Sequence, residues 1–264
     1  MSNQVARIDV SGTTNLLDKL IIRNKDNFPA EIKQGVELLK NNAMLYVSQD
    51  KTLSEYAMKN PMEVAQHLYN FVTLGLDVYR KDAYLLMYAG KLTPIIDYKG
   101  LIALVLKYSA VDILKIEFDI VKENDNVKKV NGDFTHEYNP FADRGKNIGA
   151  ICVIYYANGS HTTTVMTREE IDKVRNASPS SKSAYSPWMK WEESMWIKTV
   201  IRKATKTVPL DFNKGNMETS KLLQESYDKV DQDIQFEVVD RANNEEVVVQ
   251  ETVESVVVDV WNIK

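Results

Sequence analysis

Apolar positions recur along this chain with helical and then strand-like spacing, and the changes of period mark its elements. Leu16, Leu17, Leu20 and Ile21 form a short helical stripe inside an otherwise polar opening. Pro29 starts a second helix at a position where its missing N–H costs nothing, and Ile32, Val36, Leu39 and Ala43 give that helix one apolar face. Asn60-Pro61-Met62-Glu63 predicts a third start: a capping Asn, a Pro in the first turn and a Glu three residues after the cap. Val64, Leu68, Phe71 and Val72 then face a core, and Gly75 is placed to end the helix. Next the period shortens to two. Tyr84–Tyr88 and Leu92–Ile96 flank Ala89-Gly90-Lys91 as a β-hairpin, with Pro94 asking for a free edge beside it. A helix over Tyr98–Tyr108 precedes strands at Val111–Lys122, Ile148–Ala157 and Ser160–Met166, the last two joined by the hairpin dipeptide Asn158-Gly159. Thr167-Arg168-Glu169-Glu170 reads as a capping box. Ser178–Ser186 reads as a mobile Ser-rich loop, and Ser186-Pro187 opens a long helix that reaches about Val208, where Pro209 stops it.

These elements predict an α+β fold: a small central antiparallel sheet and hairpins flanked by helices, a long C-terminal basic helix, and a flexible acidic tail. Residues 1–28 form an N-terminal arm that could serve as an oligomer contact, 29–210 a core, and 211–264 the tail or a small partner-docking module. The chain of 264 residues is 44% hydrophobic and 27% charged, the balance of an ordinary globular protein. No apolar run approaches the ~18 residues of a membrane span, and the first residues lack the pattern of a secretory signal. Cys152 is the single cysteine, which excludes internal disulfides and cysteine-based zinc clusters; it lies in an apolar run, as a buried structural thiol does. A reducing cytoplasm fits this usage.

The net charge of −4 is uneven: residues 211–264 hold 13 Asp/Glu against 5 Lys/Arg, so residues 1–210 are weakly basic. The long helix concentrates that basicity. Lys198, Arg202 and Lys206 fall on one stripe at about 100° per residue, Lys203 lies beside them, and Lys190 lies upstream. Ile197, Ile201, Ala204 and Val208 occupy the opposite side. A helix with one dry face and one cationic face can track a phosphate backbone. The same wheel, extended backwards, puts Trp188, Trp191 and Met195 on the cationic side, where the tryptophans either stack on bases or pack in the core. A second basic group interleaves Arg80, Lys81, Lys91, Lys99 and Lys107 with Tyr79, Tyr84, Tyr88, Tyr98 and Tyr108.

Other chemistry is weakly represented. Gly90-Lys91 is followed by Leu92 and lacks the upstream glycine, so no phosphate loop is present and an ATP-driven recombinase or helicase is disfavoured. His67, His136 and His161 lack metal-ligand spacing. Asp97-Tyr98-Lys99, with Asp82 as a second carboxylate, matches the D-x-K element of metal-dependent nucleases, although an Asp capping the following helix explains the same residues. A metal-dependent nuclease using Asp82, Asp97 and Lys99, and a passive single-strand-binding module, are the rival readings.

Two blocks together resemble a known family. The first is Leu74-Gly75-Leu76-Asp77, Ala83-Tyr84-Leu85, Tyr88-Ala89-Gly90-Lys91 and Asp97-Tyr98-Lys99-Gly100-Leu101-Ile102. The second is Ser186-Pro187-Trp188, Lys198-Thr199-Val200-Ile201-Arg202-Lys203 and Val208-Pro209. In order and spacing, over roughly residues 30–210, they resemble the RecT-type phage single-strand annealing proteins, relatives of the lambda Red beta annealer. Val78 departs from the proline common at that place. The resemblance implies ATP-independent annealing of single-stranded DNA in phage or prophage recombination, by a homo-oligomeric ring or helical filament that also binds the complementary-strand duplex intermediate. It implies no cofactor, with Mg²⁺ modulating annealing. It implies cooperation with a 5′→3′ exonuclease, which the tail could dock, as it could the host single-strand-binding protein. Lys91, Tyr98, Lys99, Lys198, Arg202 and Lys203 become DNA-contact candidates, joined by Arg80, Lys81, Tyr88, Lys107, Trp188, Lys190 and Lys206. The two blocks should meet in one groove.

Overall fold

In the computed structural model, the described residues are 9–88, 90–130, 133–178, 186–214, 221–223 and 225. Helix α1 (Ser11–Arg23) carries the first stripe, and its Leu17 and Ile21 are buried in the chain's own core rather than left on an arm. The second predicted helix is broken in two. Gly35 separates α2 (Ala30–Lys33) from α3 (Val36–Gln49). Asp50 then caps α4 (Lys51–Lys59) by accepting from the Leu53 N–H at 2.8 Å. Helix α5 (Pro61–Leu74) begins with Pro61 as expected. It ends on Gly75 at φ +69°, with Leu76 N–H donating to the Phe71 carbonyl and Gly75 N–H to Val72, a Schellman arrangement.

The hairpin of β1 (Ala83–Tyr88) and β2 (Lys91–Ile96) pairs Leu85 with Pro94 and leads into α6 (Tyr98–Tyr108). Beyond it, β3 (Ile113–Lys122), β6 (Asn147–Tyr156) and β7 (His161–Thr167) form an antiparallel sheet in the order β3-β6-β7. Between β3 and β6 the chain inserts a separate hairpin of β4 (Asn126–Val130) and β5 (Asp133–Glu137). Sequence periodicity does not separate this hairpin, although Asn131-Gly132, a strong turn dipeptide, stands between its strands. Thr167 caps α7 (Arg168–Ala177) in a full capping box with Glu170. The Ser-rich loop at 179–185 lies outside the described residues.

The long C-terminal helix is also two helices. Trp191 takes φ −132° and ψ 53°, outside the helical region, and divides α8 (Pro187–Lys190) from α9 (Glu192–Thr205). The body continues past the expected boundary at 210. The Asp211 N–H donates to the Tyr108 carbonyl at 2.7 Å, and Lys214 Nζ reaches the Ser109 carbonyl at 2.7 Å. Leu223 is fully buried in the core built by α1 to α6. Residues 215–220, 224 and 226–264 of the predicted acidic tail lie outside the described residues.

Two apolar cores result. One gathers Leu17, Leu53, Leu68 and Leu101 from the N-terminal helices, the β1–β2 hairpin and α6. The other gathers Cys152, Ile154, Trp188, Trp196 and Val200 between the sheet and α9. Helix α6 serves both, with Leu101 and Leu104 in the first core and Val105 in the second. Cys152 is buried among apolar neighbours, and that burial pushes its thiol up to about 12, so it is the inert structural thiol its sequence setting implied. Among the described residues no helix is long and apolar enough to cross a membrane.

Gly100 is placed where α6 meets the loop ahead of β1. A side-chain carbon there would run into the Asp82 carbonyl oxygen and lie 2.8 Å from Ile96 Cγ2. Gly100→Ala should therefore cost about 1–3 kcal/mol or more, the range for forcing an extra carbon into packed structure, read as a lower midpoint in denaturant unfolding. Arg144 provides a second test. Its guanidinium holds the Asp125 carboxyl well below the usual carboxylate range. A carboxyl depressed on folding contributes stability that is complete above its unfolded value, near 3.9, and is lost as pH falls below it. Arg144→Leu should remove that part, so unfolding midpoints at neutral pH and near pH 3 should lie closer together than in the parent chain.

Candidate nucleic-acid interface

The first turn of α6, the start of α8–α9 and the edge strand β3 enclose a cleft of about 590 Å³. Tyr98 and Lys99 enter it from α6, Pro187, Trp191 and Lys198 from α8–α9, and Phe118 from β3. The two sequence blocks, nearly a hundred residues apart, thus meet in one groove. Each side chain has a local reason to be there. Asp97, fully buried, occupies the position before α6, so Tyr98 and Lys99 stand in that helix's first turn, Tyr98 half-buried against the second core and Lys99 exposed. The break at Trp191 releases its indole from the helical phase and leaves it 40% exposed. Phe118 lies on the sheet edge and is 43% exposed.

Cations accompany these rings. Lys198 Nζ lies 5.7 Å from the centre of the Tyr98 ring, and Lys190 Nζ lies 6.0 Å from that of Trp191, both within cation–π range. Two carboxylates also line the cleft, but each is engaged. Glu193 pairs with Lys122 at 2.7 Å. Asp119 accepts from the Tyr138 hydroxyl at 2.6 Å and lies 4.0 Å from Arg144. Lys99 and Lys198 form no ion pair among the described residues, so the cleft presents cations beside accessible aromatic faces. That combination suits stacked bases alternating with phosphates.

The other predicted contact residues are distributed differently. Trp188 is 1% exposed and belongs to the second core, the packed alternative that its sequence position left open. The backward extension of the helical wheel fails because Trp191 interrupts the helix and resets its phase. Arg202, 5% exposed, is covered because α9 lies between the sheet and α6. Lys203 is exposed but pairs with Glu170 at 2.9 Å, and Lys206 is exposed; neither lines the cleft. The expected cationic stripe is therefore split, and Lys198 alone of its three members reaches the groove. Lys107 is half-buried and spends its ammonium on the end of α5, donating to the Gly75 carbonyl at 2.7 Å; burial pulls its pKa down. Arg80, Lys81 and Lys91 are exposed but outside the cleft lining. The side chain of Tyr88 lies outside the described residues.

Of the nuclease pattern, Asp82 is tied into the loop before β1 through its carboxylate, and Asp97 is tied to that loop through its backbone. Asp82 accepts from the Asp77 N–H at 3.1 Å through its side chain and from the Asp97 N–H at 3.0 Å through its carbonyl. Asp77 in turn accepts from Tyr79 and Arg80 N–H groups and from Asn42 Nδ2. Among the described residues no three His, Cys, Asp or Glu side chains gather as a metal site requires. Sequence reasoning does not select Phe118; its only signal is an apolar residue in an alternating strand, and the structure makes that strand a sheet edge.

No curated protein matches the chain. The family model described as RecT family matches residues 31–241, most of the chain and 31 residues beyond the core boundary drawn from composition. With that match, and with both motif blocks meeting in a single cleft, the chain belongs to the RecT family, the strand-annealing proteins of phage-type DNA recombination.

Proposed function

We propose that this chain binds single-stranded DNA in the α6–α9 cleft and anneals complementary strands without hydrolysing a nucleotide. The observation that carries the reading is the meeting of Tyr98 and Lys99 with Trp191 and Lys198 in one cationic, aromatic groove. Phosphate contacts from lysines supply affinity without base preference. Aromatic stacking holds bases of any sequence. A strand held in this way can test a second strand by base pairing, and pairing supplies about 1.4 kcal/mol per step, so no ATP is needed. Weak binding by one subunit becomes strong when copies line up along a strand as a ring or filament. The reading assigns no catalytic residue and no required cofactor, and leaves Mg²⁺ the role of modulating annealing. An exonuclease that exposes single strands and the host single-strand-binding protein are the partners this role calls for, with the acidic segment beyond 225 as their docking site.

Replacing Lys99 and Lys198 together with Ala should weaken single-strand binding and reduce the slope of log K against log salt by roughly 0.7 for each phosphate that is no longer neutralised. Equal slopes for variant and parent would remove this cleft from the binding surface. Annealing of two complementary labelled oligonucleotides should be accelerated by the protein in buffer free of nucleotide. A strict ATP requirement would overturn the mechanism. Protein that binds strands but leaves their annealing rate unchanged would reduce it to passive binding.

A further inference from the structure

The outer face of the three-stranded sheet is covered by the β4–β5 hairpin, and the cover is not tight. Phe134, His136 and Tyr138, alternate residues along and just past β5, line a cavity of about 520 Å³ together with Val153 and Tyr155 of β6. That volume lies within the range of small-ligand sites, roughly 300–1,000 Å³. The hairpin is held in place by an ion pair and hydrogen bonds. Arg144 donates to Asp125 through Nε at 2.8 Å and to the Ile120 carbonyl through a terminal nitrogen at 2.7 Å. Asp125 also meets His136 Nε2 at 2.8 Å, and His161 on β7 lies 3.1 Å from Asp133 on β5.

Three rings around this cavity each carry a cation. Lys115 Nζ lies 4.4 Å from the centre of the Tyr155 ring, Lys129 Nζ lies 5.2 Å from that of Phe134, and the Arg144 guanidinium stacks 3.4 Å from that of Tyr138. The nearby carboxylates are occupied within the protein: Glu117 pairs with Lys115 at 2.8 Å and Asp119 accepts from Tyr138. The cavity also shares part of its lining with the cleft. Phe118 and Asp119 line both, and they lie on β3, the edge strand, so the two openings flank the same edge. An apolar peptide would need the rings without their cations. A polyanion with flat, stackable groups needs both.

We propose that this hairpin-covered cavity is a second stacking site for unpaired nucleobases. A strand leaving the α6–α9 cleft crosses the β3 edge at Phe118 and places bases against Tyr155 and Phe134, with Lys129 beside its phosphates. The proposal rests on the reading of the cleft as the DNA site, and it gives unpaired bases a seat next to the groove where strands pair.

The direct test uses the full chain and a single-stranded oligonucleotide carrying 5-iodouracil, cross-linked by light and mapped by mass spectrometry. Cross-links at Tyr155 or Phe134, in addition to Trp191 or Phe118, are expected. Cross-links confined to Trp191 and Phe118 would overturn the second site while sparing the first. Failure of the parent chain to bind the oligonucleotide would overturn both. Tyr155→Leu and Phe134→Leu, which keep apolar bulk and remove the ring, should each weaken single-strand binding roughly tenfold. The salt slope should stay unchanged, because stacking releases no counterions; Lys99→Ala with Lys198→Ala changes it. Parent-like affinity in both ring variants would refute the cavity site, and parent-like affinity with altered sedimentation would assign the cavity to a contact between copies of the chain instead.

Discussion

The close approach of α6 to the loop at Asp82 is the constraint on which the rest of the structure depends. The Asp97 N–H donates to the Asp82 carbonyl, and Gly100, one turn later, passes the same carbonyl where no side-chain carbon fits. This contact seats α6 between two cores, with Leu101 and Leu104 in one and Val105 in the other. A helix fixed on both sides cannot rotate without opening a core, so the direction of its first turn is determined. That turn carries Tyr98 and Lys99 toward Trp191 and Lys198. The same constraint explains why Asp82 and Asp97 stand 15 positions apart and still belong together: they position the loop and the helix start.

Electrostatically, the cleft is positive because its carboxylates are answered by groups behind it. Lys122 neutralises Glu193, and Tyr138 with Arg144 engages Asp119. Lys99 and Lys198 are left facing the groove. A chain with a net charge of −4 can therefore present a cationic surface, since a phosphate backbone responds to charges within about a Debye length, near 8–10 Å, rather than to the total. Arg144 links the two surfaces, holding the β4–β5 hairpin through Asp125 and helping to occupy Asp119 at the edge between cleft and cavity.

Much of this architecture is legible in local signals. Helix starts at Pro61 and Thr167, the Gly75 stop, the β1–β2 hairpin and the strands around Asn158-Gly159 are set by caps, turn residues and periodicity, which act over a few neighbours. The breaks at Gly35 and Trp191 are not legible. Neither residue forbids a helix outright, and each interruption is settled by what the flanking segments pack against. The β4–β5 hairpin is hidden because Lys128 and Lys129 give its first strand little apolar alternation, although Asn131-Gly132 advertises a turn.

For the site, sequence by itself determined the chemistry available: lysines and aromatic residues in two blocks, whose order and spacing identify the family. Which of those residues share a groove was decided by tertiary structure alone. Lys198, Arg202 and Lys206 are equivalent on a helical wheel, yet one lines the cleft, one is buried and one is exposed elsewhere. Trp188 and Trp191, three residues apart, divide between core and surface. A wheel describes an isolated cylinder, whereas α9 is packed by the sheet on one side and α6 on the other. Exposure is a property of those neighbours, and the neighbours are brought there by the seat that Gly100 provides for α6.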